Sequence, residues 1–202
     1  MPDEITPCIG LTGKSGYGKT YKAKQLLGSC ARSIVYDMIR DDGKPDHPEY
    51  GYDAMGYQII NGPLQPGSTV LVDAMRQPSF HICYRPGDIN AELNYFCECL
   101  KWAGSQGALT VFFDECYYLT ENLIPMPIRE LIRMRRHLGL TLMFACQRPQ
   151  KFGRDLFNAL TALYVFYATG VNDIEYLEKN GPGFDLKVLA TLGVNQYVKL
   201  EL

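Results

Sequence analysis

GKSGYGKT, residues 13–20, is the stretch on which the fold of this chain turns. It matches G-x-x-x-x-G-K-[ST] in full, the pattern of a loop that cradles phosphates. A short apolar run, CIGLTG (8–13), leads into it as a buried strand. A helix is expected over 19–27, stopping near Gly28. In that setting the glycines let backbone amides converge on phosphate oxygens, and the helix N-terminus adds a partial positive charge. Gly13, Ser15, Gly16, Tyr17, Gly18, Lys19, Thr20 and Tyr21 form the candidate nucleotide-binding set. Lys19 is expected to reach the outer phosphates and the Thr20 hydroxyl to ligate Mg²⁺, which makes ATP and Mg²⁺ the expected cofactors.

Outward from the loop, short apolar runs alternate with amphipathic stretches, the pattern of a mostly parallel sheet covered by helices. Strands are expected at SIVYD (33–37), YQII (57–60), STVLVDA (68–74), FHICYR (80–85), ALTVFFDE (108–115), LTLMFACQ (140–147), LYVFYAT (163–169) and QYVKLEL (196–202). Ile89, Leu93, Phe96, Cys97 and Leu100 recur at helical spacing across 88–103, with Asp88 as N-cap. Further helices are expected from Pro127 to about His137 and near 172–179. Residues 40–67, rich in Gly, Pro and Asp, are the least readable part. The expected architecture is one α/β domain over residues 1–202, a doubly wound, mostly parallel sheet with helices on both faces. Its ligand site should lie at the carboxyl ends of the strands.

Composition narrows the function classes. At 202 residues, 47% apolar and 21% charged, the chain reads as one soluble globular domain. A net charge of -2 gives no global signal for nucleic acid, so any such surface must be a local patch. The seven cysteines lack the spacing of a zinc site, and several stand inside apolar runs as small core residues. A reducing compartment without disulfides is therefore expected. The N-terminal MPDEITPCIG carries no secretory signal, and no apolar run is long enough to span a membrane.

The chemistry concentrates at two later strand ends. Asp114 and Glu115 follow the apolar run LTVFF, which puts both carboxylates at the strand tip beside the phosphates. One can hold the metal shell while the next orients an attacking water, a pairing that favours hydrolysis over transfer to a metabolite. Gln147 ends the next apolar strand, where an amide can bond the γ-phosphate or the attacking water. On the helix from Pro127, Ile128, Leu131, Ile132 and Met134 form one arc and Arg129, Arg133, Arg136 and His137 the other. Arg135 points toward the apolar side and snorkels.

GKSGYGKT, LTVFFDE and RRHLGLTLMFACQRP, in that order, resemble the FtsK–HerA superfamily of DNA-pumping ATPases. The small size and bare core are most similar to its viral branch, the genome-packaging ATPases of double-stranded DNA viruses and phages. The resemblance spans roughly residues 8–170 and implies a RecA-like core with an additional strand. It assigns nucleotide and Mg²⁺ contacts to Lys19 and Thr20, the metal-shell acid to Asp114, the catalytic base to Glu115 and the γ-phosphate sensor to Gln147. Arg136, three residues before Gly139, takes the position of the arginine that acts on a neighbouring subunit, with Arg133 in reserve. It further implies a hexameric ring threading double-stranded DNA, capsid or portal-vertex partners, and a place in the host cytoplasm or the virion rather than outside the cell. The extra membrane-anchoring and DNA-orienting domains of cellular members have no counterpart in this chain, nor does the membrane segment of the Zot-like cousins.

Two other readings stand beside this one. Lys14 gives the loop K-x-G-x-x-K-T spacing, the signature of ParA/MinD-like dimeric switches whose first lysine crosses a dimer. The Asp-Glu pair and the Gln-Arg-Pro strand end oppose that reading. A small-molecule kinase fits the length, but no lid or second-substrate pocket can be identified in residues 40–87.

Overall fold

The structure is a computed structural model that describes residues 6–39, 51–64, 68–120, 123–168, 170–181 and 186–202. Eight strands form one sheet among these residues: β1 (Cys8–Thr12), β2 (Arg32–Asp37), β3 (Gln58–Asn61), β4 (Phe80–Arg85), β5 (Leu109–Asp114), β6 (Leu140–Cys146), β7 (Ala162–Val165) and β8 (Val198–Glu201). Their order is β3-β4-β2-β5-β6-β1-β7-β8, parallel throughout except for the β7–β8 pair at one edge. β6 therefore lies between β1 and β5, the additional-strand arrangement expected from the motifs.

Strands covered on both faces need continuous apolar runs rather than alternation. β5 and β2 supply the runs VFF and IVY at their centres, and both strands are buried almost from end to end. Alternate side chains serve two separate cores. Val111 and Phe113 join the larger one beneath α2 (Val70–Met75), α3 (Leu93–Ser105) and α5 (Met126–Met134), where Leu71, Phe96 and Leu131 pack. Phe112, Leu11 and Val35 face the smaller one, covered by Ala23 and Leu27 of α1 (Lys19–Gly28) and by Tyr52 and Tyr57. Phe113 stacks on Phe144 with centroids 5.1 Å apart, tying β5 to β6 just below their tips. Six of the seven cysteines are buried in this interior as small core residues, as the apolar settings of several implied.

The structure departs from the sequence expectations in particular places. STVLVDA is not a strand: Val70–Met75 is helical, with Leu71 and Met75 buried four residues apart and Val70 exposed. Its β-branched residues carry strand propensity, but burial at i and i+4 decides for helix. α3 begins at Leu93 rather than at residue 88, because Asp88 instead caps a turn by accepting the amides of Asn90 and Ala91. α5 ends at Met134, short of His137, and Pro127 occupies its second position. Arg135 passes its carbonyl to Leu140 N–H, and Gly139, at φ +60°, turns the chain into β6. β7 stops at Val165, and residue 169 lies outside the described residues. QYVKLEL yields the four-residue β8, an antiparallel edge strand. Two further short helices, α4 (Tyr117–Thr120) and α6 (Gly153–Phe157), were not expected, whereas α7 (Val171–Asn180) falls where one was. Among the described residues no helix is long and apolar enough to cross a membrane.

Candidate nucleotide-binding site

β1 ends at Thr12 and the chain enters α1 at Lys19, so residues 13–18 form the loop between a central strand and a helix N-terminus. Two glycines in it are sterically required. A Cβ on Gly13, at φ +136°, would meet Phe166 Cβ at 2.8 Å. A Cβ on Gly18, at φ +104°, would lie 2.2 Å from Asn195 Oδ1. The loop is held from the β7 side. Lys14 N–H donates to the Tyr167 carbonyl at 2.9 Å, and Asn195 N–H to the Tyr17 carbonyl at 3.1 Å. The Tyr17 and Tyr167 rings stack 4.5 Å apart, nearly parallel. The Lys14 ammonium stands beside this stack, almost equidistant from both rings at 6.0 and 5.8 Å. Ser15 and Gly16 are exposed at the crest of the loop, and Tyr21 is exposed on the first turn of α1.

Lys19 is buried and folds into its own loop, donating to the Gly13 carbonyl at 2.8 Å and the Lys14 carbonyl at 3.3 Å. Burial lowers its pKa, while the Glu115 and Asp114 carboxylates pull the other way. Thr20 Oγ1 lies 3.5 and 3.4 Å from the two oxygens of Asp114 at the tip of β5. Asp114 is almost wholly buried. Across the sheet its register partner is Asp37, whose carboxylate is neutralised by Arg85 Nε at 3.0 Å.

Glu115 is one of two described non-glycine residues at positive φ, at 53°. A left-handed glutamate costs on the order of 1–3 kcal/mol and persists only where its surroundings enforce it. The enforcing contact is the next amide, Cys116 N–H, which donates to the Ala145 carbonyl of β6 at 2.7 Å. The bend turns the Glu115 carboxylate out beside β6, where Gln147 Nε2 donates to it at 3.3 Å. Between the two tips lies a cleft of about 200 Å³ lined by Glu115, Gln147, Tyr117, Arg148 and Lys151 among others. At its base the Cys146 thiol has its pKa lowered, chiefly by a hydrogen bond from Cys116.

The structure thus brings Lys19, Thr20, Asp114, Glu115 and Gln147 to one end of the sheet. It does not bring Arg136 or Arg133 there. Both are exposed near the end of α5, close to the start of β6, and the seven residues of that strand separate them from the site by about 20 Å. Arg129, read as part of the same basic arc, pairs with Asp155 at 3.5 Å. Arg135 snorkels as expected, reaching the Thr6 and Ile132 carbonyls. The motifs alone did not single out Tyr52, Tyr167, Asn195, Arg148 and Lys151. Arg148 lay inside the quoted Gln-Arg-Pro, whereas no local pattern announces that Tyr167 or Asn195 meets the loop.

Strand, phosphate loop and helix, with an acidic strand tip one strand removed, define a P-loop NTPase fold. The genome packaging NTPase B204 of Sulfolobus turreted icosahedral virus 2, solved with AMPPCP, shares this fold: TM-score 0.75 at 17% identity over 97% of this chain and 92% of that one. VirB4 of Thermoanaerobacter pseudethanolicus matches with a TM-score of 0.59 at 11% identity, over 100% and 91% of the two chains. EssC of Geobacillus thermodenitrificans matches with 0.57 at 15%, this chain spanning 39% of it. No protein-family model matches the chain, and no curated protein sequence matches it either.

Proposed function

We propose that the chain is an ATP-hydrolysing DNA translocase, the genome-packaging motor of a double-stranded DNA virus or phage, working as a ring that threads DNA. The observation that carries the hydrolytic part is Glu115. A strained backbone turns this carboxylate out beside the tip of β6, the strand next to the one that enters the phosphate loop, and Gln147 donates to it there, a placement that suits activation of water. The fold shared with B204 over nearly its whole length supports the packaging part.

In this reading the loop amides and Lys19 bind the phosphates. The Lys19 ammonium exchanges its two loop carbonyls for oxygens of the outer phosphate. Glu115 orients the attacking water and accepts its proton, and Gln147 reports the γ-phosphate. The residues present fit Mg²⁺: a hydroxyl and a carboxylate facing each other at 3.4–3.5 Å give the all-oxygen donor set that a hard divalent cation takes. Thr20 and Asp114 would hold the ion, which would supply charge neutralisation to the phosphates. Arg136 lies far from its own chain's phosphate loop, so any role on phosphate is played on a neighbouring subunit, as in a hexamer. Double-stranded DNA and capsid or portal-vertex proteins are the proposed partners, in the host cytoplasm or the virion.

The test is ATPase activity with and without duplex DNA, together with a mass measurement in a non-hydrolysable ATP analogue plus DNA. DNA-stimulated hydrolysis and a ring mass are expected. A strict monomer at all concentrations refutes the role of Arg136, and an ATPase indifferent to Glu115→Gln refutes the base.

A further inference from the structure

Tyr52 belongs to none of the motifs. It stands in the turn at residues 51–56, ahead of β3, in the stretch where the sequence was least readable. Its side chain is wholly buried on the α1 face of the sheet. The turn is closed by Tyr57 N–H donating to the Tyr52 carbonyl at 3.0 Å, and the two rings meet edge to face at 5.3 Å. The Lys24 ammonium lies 4.2 Å from the Tyr52 ring centroid. Lys24 follows Thr20 by four residues on α1, so the two share a helix face. The ring is thereby clamped against the helix that carries the phosphate-binding residues.

The Tyr52 hydroxyl donates to Asp114 Oδ2 at 3.5 Å, inside the protein. Thr20 Oγ1 approaches the same carboxylate. Two hydroxyls, one from the motif and one from outside it, therefore converge on the acid of β5. The contacts are long for hydrogen bonds, in the range that tightens when a ligand completes a site. We infer that Tyr52 is a positioning residue for the metal acid: its hydroxyl meets Oδ2 of Asp114, an oxygen Thr20 Oγ1 also approaches, and so fixes the orientation of the whole carboxylate beside the Mg²⁺ position. This rests on the nucleotide-site reading above. Tyr52 has its assigned role on the carboxylate rather than on phosphate or metal. It acts by keeping a buried carboxylate in one rotamer, which otherwise would have to be reset each time the cation binds.

The test is Tyr52→Phe, which keeps the ring, its contact with Tyr57 and its place against Lys24 while deleting the donor. Binding of a fluorescent ATP analogue is measured in EDTA and across a Mg²⁺ titration, beside apo melting curves. The expected result is unchanged affinity in EDTA and a Mg²⁺ half-saturation raised roughly tenfold, the loss of one hydrogen bond to a charged group, with at most a small fall in melting temperature from the same lost contact. An unaltered Mg²⁺ titration overturns the inference. So does a variant that melts earlier and binds weakly in EDTA with the same Mg²⁺ half-saturation, since that is a packing role only. If the unmutated protein binds no nucleotide in either condition, the nucleotide-site reading itself fails and this inference with it.

Discussion

Removing Arg85 should expose how much the end of the sheet depends on one buried ion pair. Asp37, at the tip of β2, has no solvent exposure, and the Arg85 side chain is only 10% exposed. Their Nε–Oδ2 separation is 3.0 Å. In Arg85→Met the apolar stem is largely preserved, but the carboxylate loses its countercharge. The neighbouring Cys83 thiol, 3.6 Å away, is too weak a donor to replace it. Breaking a buried pair from one side costs about 3–5 kcal/mol, because a charge in the interior loses an opposite charge in direct contact with it. For a chain of this length each kcal/mol lowers the melting temperature by about 2–4 °C, so the expected drop is about 6–20 °C. Calorimetry of the nucleotide-free protein measures it. Asp37→Asn combined with Arg85→Met should recover most of the loss, since the pair's net contribution is small once both charges are gone. A single variant melting within about 2 °C of the parent, or a double variant no better than the single one, refutes the reasoning.

Glu115→Gln should retain nucleotide affinity and lose hydrolysis by about 10²–10⁴-fold, the range for removal of a general base, read in a steady-state phosphate-release assay. Gly18→Ala should lower the melting temperature and weaken ATP-analogue binding together, because its Cβ would meet Asn195 on a backbone that disfavours side chains; Asn195→Gly in the same chain should restore part of the stability. Lys14→Ala should change ATPase activity less than about threefold, its ammonium standing beside Tyr17 and Tyr167 rather than at the Asp114 tip; loss of both dimerisation and hydrolysis would instead favour the ParA/MinD-like switch. Phe113→Ala, which deletes a fully buried ring stacked on Phe144, should cost about 3–5 kcal/mol in chemical denaturation.

What the sequence determined by itself is whatever local chemistry dictates. The glycines at 13, 16 and 18 and the Lys19-Thr20 pair prescribe a phosphate loop, because residues without a Cβ take the positive φ that turns amides inward without strain. LTVFFD and LTLMFAC carry the apolar runs VFF and LMFAC because a parallel strand between two helical layers offers water to neither face. From these runs followed the sheet, its mostly parallel sense and the grouping of Asp114, Glu115 and Gln147. Tertiary structure decided what contacts between distant segments control. Residues 70–75 became a helix because Leu71 and Met75 bury on one side, against the strand propensity of their neighbours. Arg136 was sent to the opposite end of the sheet by the direction in which α5 returns to β6. Tyr52 reached Asp114, Tyr167 reached Tyr17 and Asn195 reached Gly18 only through the strand order, which brings separate loops to one end of the sheet. Such meetings leave no periodicity in the chain, since each partner looks locally like any other loop residue.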